Sequence, residues 1–489
     1  MSGFQPSMPH KSSILLRRFT RLVFSALFFM AWIPQSHAQV PDPPLDVPIN
    51  RLPARDPNAI AVDGWLLYPT LRLYTQYSDN LFVSPTSPIA APGFGVTPGM
   101  VAVWTNGIHT TTLYGNIDRQ AYPTDNEINT LDGRAGFTQR YEAMRDLIFT
   151  VNGNYTHTTL ATGLQNSIQT PSAAPATTVL PNGNTVLPNG TILSPTGQFV
   201  GQASALAASS AQLLVNPSNQ FTGTFTVDKI FDRGIFSLIG SVNRSEFVNQ
   251  SLEPDTSSRT LTERAAFWLG PLFYLYSTGS VSTVVTDATT GSTAPSPAGS
   301  ATSSPSFLTT SYRVIGGLGT RQFGLFRGSM YFGYQASEGD GATAGGDVYG
   351  GALSYYPTAQ WTVTGTIDRT INIASSPIST TTNLALTLPG LTAEQIPLGA
   401  STETTTAGLL ASYEITPQWF ARCQLAYSRI EFVDSPRLDN SWVLDATLRY
   451  DIWRDTSLTW EYRYTSILSN APLVSATSNL GIMGVLYKF

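Results

Sequence analysis

From Trp65 onward the chain repeats one pattern, a run of about 10 to 13 residues alternating in polarity followed by a turn. Alternation with period 2 marks a strand with one apolar and one polar face. In "LRLYTQYS" (Leu71 to Ser78), Leu71 and Leu73 point one way while Arg72, Tyr74 and Gln76 point the other. In "WVLDATLRY" (Trp442 to Tyr450), Trp442, Leu444, Ala446, Leu448 and Tyr450 oppose Asp445, Thr447 and Arg449. The stretch "GIMGVLYKF" puts Met483, Val485, Tyr487 and Phe489 on one face and Lys488 on the other. The count of such runs is about 18, with 16 as the next reading.

The turns between the runs narrow the fold further. Short ones fall at "TNG" (Thr105 to Gly107), "EAMRD" (Glu142 to Asp146), "FDRG" (Phe231 to Gly234), "GP" (Gly270, Pro271), "QFG" (Gln322 to Gly324), "PTAQ" (Pro357 to Gln360), "TPQ" (Thr416 to Gln418) and "RDT" (Arg454 to Thr456). Between them lie long segments, among them 79–95, 161–218, 284–308 and 373–402. One rim of tight turns and one of long loops is the plan of an outer-membrane barrel, apolar outward and polar inward, whose closure leaves no free edge. The expected fold is therefore all-β, a closed antiparallel transmembrane β-barrel over residues 64–489, with both ends of the chain at the short-turn rim. Aromatic residues near that rim, Trp65, Tyr68, Trp104, Phe231, Trp361, Trp419, Trp453, Tyr487 and Phe489, are expected to form a girdle at the membrane boundary. Tyr487 and Phe489 would serve membrane assembly, anchoring the last strand and marking the chain for the barrel-assembly machinery.

The front of the chain fits that destination. Lys11, Arg17, Arg18 and Arg21 precede the apolar run "LVFSALFFMAWI" (Leu22 to Ile33) and then "PQSHA", a pattern expected of a signal peptide over residues 1–38. Residues 39–63, "QVPDPPLDVPINRLPARDPNAIAVD", read as a Pro-rich periplasmic lead-in. Residues 1–38 hold four basic residues and no acidic one, so their removal moves the net charge from −5 to −9, the opposite of a nucleic-acid footprint. Charged residues make up only 12% of the chain, low enough to suit a surface facing lipid on one side. The expected location is the outer membrane of a Gram-negative bacterium, in contact with its lipid.

The first strand runs into "YSDNLF" (Tyr77 to Phe82), the next carries "VTPGMVAVW" (Val96 to Trp104), and a third ends "NIDRQAY" (Asn116 to Tyr122). Together with the final strand, these stretches resemble the outer-membrane β-barrel porins linked with bacterial exopolysaccharide production, over residues 60–489. The resemblance implies a barrel that passes polysaccharide with the help of periplasmic export proteins. A passive diffusion porin for small solutes or sugars is the alternative reading, and an outer-membrane hydrolase the weakest.

The residues themselves point away from enzymatic chemistry. After the leader there are two histidines, His109 and His157, expected at opposite rims, and one cysteine, Cys423, expected on the outward face. No "GxSxG" or comparable motif accompanies them, and no cofactor or metal motif is present. Asp79 and Asn80, with Asp63 upstream, could suggest a cation site but read better as turn formers. The inward charges carry more. Arg72, Arg134, Arg422, Asp445, Arg449, Glu461 and Arg463 all fall on the inward parity, where an arginine and acid wall would select solutes or, in the bland reading, only stiffen the barrel. From Leu147 to Val227 no Asp, Glu, Lys or Arg occurs, and this span holds the degenerate repeat "TVLPNG", "TVLPNG", "TILSPTG". The loop 161–218 is expected either to fold inward and narrow the lumen or to stay at the surface.

Overall fold

The computed structural model describes residues 59–81, 83, 88–123, 129–159, 217–248, 255–287, 307–321, 323–339, 342–358, 360–373, 401–433, 436–471 and 474–489, with short paired segments within 178–202 and at 378–379 and 395–396. Eighteen long strands follow one another, each the length of an alternating run. They are β1 (Trp65–Ser78), β2 (Ala91–Thr105), β3 (His109–Ala121), β4 (Thr130–Met144), β5 (Leu147–Thr158) and β6 (Ser218–Phe231). Then come β7 (Gly234–Phe247), β8 (Thr256–Trp268), β9 (Phe273–Thr286), β10 (Phe307–Thr320), β11 (Phe326–Gly339) and β12 (Ala342–Tyr355). The series ends with β13 (Trp361–Ile373), β14 (Ser401–Thr416), β15 (Trp419–Phe432), β16 (Leu438–Asp451), β17 (Thr456–Ser469) and β18 (Ala476–Lys488). Each pairs antiparallel with the next, and β18 pairs with β1 from Thr70↔Lys488 to Ser78↔Leu480, so the sheet closes. The sequence count of 18 holds, and 16 does not.

The eight short turns fall where the sequence placed them, all at one rim. The opposite rim is less uniform than expected. Beside long connections such as 287–306, it holds β11 and β12 paired out to Gly339↔Ala342, and β16 begins at Leu438, soon after β15 ends at Phe432. Residues 1–58 and most of 161–218 lie outside the described residues, so the leader and the inward folding of the loop belong there too. Four segments of that loop, Thr178–Val179, Thr185–Val186, Thr191–Leu193 and Phe199–Gln202, pair as a small antiparallel sheet of their own.

The base of β1 is built differently from the sequence reading. Residues Ile60–Val62, assigned to the lead-in, double back and pair with Trp65, Leu66 and Leu67. The turn is Asp63–Gly64, both with positive φ (45° and 84°). Two such residues in a two-residue connection make the primed turn that asparagine or aspartate followed by glycine favours, so "VDGW" is a hairpin signal.

Which face is inside follows from reach. Side chains of strands that are not neighbours can meet only on the concave face. Arg72 on β1 meets Glu461 on β17 across β18, Tyr74 on β1 meets Asp118 on β3, and Arg313 on β10 meets Asp368 on β13. All of these share one parity. The other parity carries exposed Leu73, Phe94, Met100, Ile117, Leu261, Met330, Phe332, Leu353 and Met483, an apolar belt around the outside. At the short-turn end of that belt the aromatic rings adjoin in series. His109 stacks on Tyr141 (4.6 Å), Trp361 on Tyr413 (4.3 Å), Trp419 on Tyr450 (4.5 Å), and Tyr487 meets Phe489 edge-on (4.7 Å). Tyr68 is not part of this ring. It points inward and is buried with Val101, Val103 and Tyr114, because Trp65 rather than Tyr68 holds the outward parity at that level.

Candidate functional site: the inner wall

The antiparallel register decides which inward side chains meet. Strands β15 to β18 and β1 are contiguous, and six of the seven residues singled out in the sequence lie on them. Asp445 stands directly opposite Arg463 between β16 and β17, and Arg463 donates to its carboxylate from Nε (3.2 Å) and Nη2 (3.0 Å). One step along, Glu461 accepts from Nη2 of Arg72 at 2.8 Å. These partners are 389 positions apart in sequence and meet because the barrel closes. Arg72 also covers the ring of Tyr74 at 4.8 Å. Nearer the short-turn rim, Arg449 pairs with Asp451 (3.2 Å) and stacks on Phe420 (5.4 Å). Arg422 on β15 reaches Gln424 at 3.4 Å. These arginines are therefore matched by acids or amides at close range. The Arg72–Glu461 and Arg463–Asp445 pairs, part-buried and hydrogen-bonded, fix the wall's shape and hold its charges at set positions.

Arg134 stands apart from this group. It lies on β4, opposite Asn116 of β3, beside a different network. There Asp118 accepts from Tyr74 Oη at 2.9 Å, Thr97 Oγ1 at 2.7 Å and Gln120 Nε2 at 2.8 Å. Gln76 donates to Tyr122 Oη at 2.6 Å and to Gln120 Oε1 at 3.1 Å. The ring of Tyr74 lies flat on β2 over Gly95, where an added Cβ would stand 2.0 Å from Cζ. Only glycine permits that approach. Asp118 and Asp132 face each other directly in the β3–β4 register.

A third sector went unnoticed in the sequence, on β8 to β13. Tyr276, Tyr274 and Tyr331 lie over Gly317, Gly319 and Gly350, whose added Cβ atoms would stand 2.4, 2.2 and 2.5 Å from the respective Cζ atoms. Arginines stack on the neighbouring rings: Arg264 over Tyr276 (5.7 Å), Arg321 over Trp268 (5.4 Å) and Arg313 over Tyr331 (5.3 Å). Arg313 donates from Nη2 to Tyr331 Oη at 2.8 Å and to Asp368 at 3.4 Å. Parity alone could have placed these side chains inward. Their grouping depends on cross-strand register, which the sequence does not display.

The remaining sequence candidates have structural partners. Asp63 and Asp79 lie at opposite ends of β1, so they share no cation site. Asp79 instead accepts from the backbone N and Nδ2 of Asn479 at 2.7 and 2.6 Å, and Asn80 Nδ2 donates to Thr477 O at 2.9 Å, fastening β1 to β18 at the long-loop rim. His109 and His157 both point outward near opposite rims, His157 bonded to Asn219 (2.9 Å). Cys423 is exposed on the outer face. Among the described residues no group of three or more His, Cys, Asp or Glu could hold a metal ion.

Fold and inner wall thus define a closed 18-stranded barrel, apolar outside and lined inside by paired charges, hydroxyls and aromatic rings. No family model matches the sequence, and comparison with curated proteins gives no match. Solved structures of similar shape include the siderophore receptor PirA from Acinetobacter baumannii, with TM-score 0.44, 8% identity, and 86% of this chain and 80% of that one covered. Others are OpdL of Pseudomonas aeruginosa (TM-score 0.41, 12% identity, 88% and 99% covered) and the copper transporter OprC (TM-score 0.45, 7% identity, 88% and 81% covered). Likeness at this level carries no functional inference.

Proposed function

We propose that this chain is a pore of the Gram-negative outer membrane and that its cargo is exopolysaccharide leaving the cell. The observation that carries the reading is the inversion of a soluble protein's polarity. Leu73, Met330, Phe332 and Leu353 are more than half exposed on the outside, while the inside holds ion pairs and hydroxyls. Apolar patches of such extent mark a surface covered by something apolar, and a belt of this kind, broken at Glu263 on β8 and edged by aromatic rings at its short-turn end, suits lipid. A barrel of 18 strands is wide enough to leave an aqueous channel. The partners of this reading are membrane lipid, the barrel-assembly machinery during insertion, and periplasmic export proteins that deliver the polymer. It is not an enzyme in this reading: His109 and His157 point outward near opposite rims, and Cys423 is exposed on the outer face.

Export is favoured over passive diffusion by the resemblance to exopolysaccharide-linked porins. The test is genetic. Deleting the chain from its host should trap polysaccharide in the periplasm and remove it from the medium, with restoration by the intact gene. Normal secretion, together with slower uptake of small sugars, would show a passive porin instead. A protein recovered in the soluble fraction and free of detergent dependence would overturn the membrane reading itself.

A further inference from the structure

The β8–β13 sector differs from the ion-paired wall in two respects. Its rings are held flat against the strands, and its arginines outnumber its acids. Tyr274 and Tyr276 lie over glycines of β10, with ring centroids 6.0 Å apart, which fixes one face of each ring to the wall. Both residues are partly exposed, and because Arg264 lies over the Tyr276 ring, Tyr274 is the ring offered to a stacking partner. Arg264 is exposed, and among the described residues it meets only the Tyr276 ring; Arg321 likewise meets only the Trp268 ring with its side chain. Asp368 engages Arg313 alone of the three. Around them stand hydroxyls of Thr262, Thr278 and Ser280 on the same face.

We propose that this sector is a binding site for an acidic oligosaccharide, a chain of hexuronic acid units. The inference rests on the pore reading and names its substrate class. The apolar C–H face of a pyranose ring stacks on a flat aromatic ring, the hydroxyls exchange hydrogen bonds with Thr and Ser, and the uronate carboxylate pairs with a guanidinium. Two arginines without an acid partner supply the charge that a neutral sugar would not use. The aromatic rows lie in the short-turn half of the lumen, Trp268 opposite Tyr274 and Tyr276 opposite Gly317, so the site faces a polymer arriving from the periplasm.

The test is an equilibrium titration on the full chain in detergent, following tryptophan fluorescence, with galacturonic-acid trimer and the neutral maltotriose as probes. Trp268→Phe identifies the signal. The acidic trimer is expected to bind at least about tenfold more tightly than the neutral one, a preference that weakens with salt. Arg264→Gln with Arg321→Gln should abolish the preference while leaving weak binding of both. Tyr274→Ala should weaken both sugars alike, and Tyr274→Phe should restore them. Each variant is first checked for heat-modifiable gel mobility, the sign of a folded barrel, and Arg264→Gln alone keeps the test open if others misfold. Equal affinity for the two probes, absence of binding, or a preference surviving in the arginine variants overturns the proposal. Binding does not depend on conduction. A barrel that conducts ions but binds no acidic sugar removes this inference and leaves the pore; one that binds but never conducts removes the pore.

Discussion

Replacing Tyr74 by Phe tests whether the inner wall is held by its polar network. The residue is 7% exposed, and its hydroxyl donates to both oxygens of Asp118 at 2.9 Å. The substitution keeps the ring, its seat on Gly95 and the Arg72 guanidinium above it, and removes one of three side-chain donors to that carboxylate. A hydrogen bond to a charged group contributes about 1.5–3 kcal/mol. The expected loss is therefore about 2 kcal/mol, roughly a 30-fold fall in the ratio of folded to unfolded chain. Reversible urea unfolding in detergent or lipid vesicles, read by tryptophan fluorescence, measures it. Thr97→Val should cost a similar amount, and the two together more than their sum, because Asp118 would keep only Gln120. Gly95→Ala gives an independent check. It should cost at least about 1–3 kcal/mol beside Tyr74, through overpacking, and little once Tyr74 is Ala. A loss below about 0.5 kcal/mol for Tyr74→Phe would mean that lumen water replaces the hydroxyl, and the network argument would fall.

Three further outcomes follow from the same geometry. Glu461→Gln leaves Arg72 without its acid and should move ion selectivity toward anions, while Arg463→Gln releases Asp445 and should move it toward cations; reversal potentials across planar bilayers report both, and shifts of equal sign would refute the pairing. Phe489→Ser removes the ring set edge-on against Tyr487 while its backbone N–H bond to Pro69 O (3.1 Å) can persist, so folded barrel in the outer-membrane fraction should fall, with normal levels counting against a girdle anchor. Asp79→Ala breaks two bonds across the β1–β18 closure and should cost about 1 kcal/mol, seen as a lower midpoint temperature in heat-modifiable mobility. An unchanged midpoint would place the strength of the closure in its backbone ladder alone.

Strand parity was legible because period 2 is a local property: Asp445 and Arg449 share a face whatever lies beside them. The tight turns were legible too, since "TNG" and "FDRG" carry their own backbone signals. What the sequence concealed is register. Nothing local tells that Glu461 meets Arg72, or that Tyr276 lands on Gly317, because each contact depends on how far one strand has slid past the next. Tyr68 was misplaced although parity was available: it shares the face of Arg72 on one strand, and its packing with Val101 and Tyr114 bears out that it points inward rather than into the girdle. The long-loop rim was harder still. There β11 and β12 stay paired out to Gly339↔Ala342, where glycine and small residues suit a strand that a neighbour's side chains cover, as Tyr334 does Gly345.

Register also distributes the charge around the channel. On β3 and β4, Asp118 faces Asp132 with Arg134 close by, so that arc leans acidic toward the long-loop rim, softened by the hydroxyl and amide donors to Asp118 and by the Thr159 N–H given to Asp132 at 2.7 Å. On β15 to β17, Asp445 with Arg463 and Glu461 with Arg72 nearly cancel. On β8 to β10, Arg313 meets one acid, Asp368 of β13, and Arg264 meets the Tyr276 ring and no acid among the described residues. The arginine arc lies in the short-turn half of the lumen and the acidic arc nearer the long-loop rim, so the separation of charge between them runs obliquely across the channel. A neutral solute has no preferred side in such a field. In the site proposed above, a carboxylated one is drawn to β8 to β10 beside Tyr274, so charge and stacking act at one place on the wall.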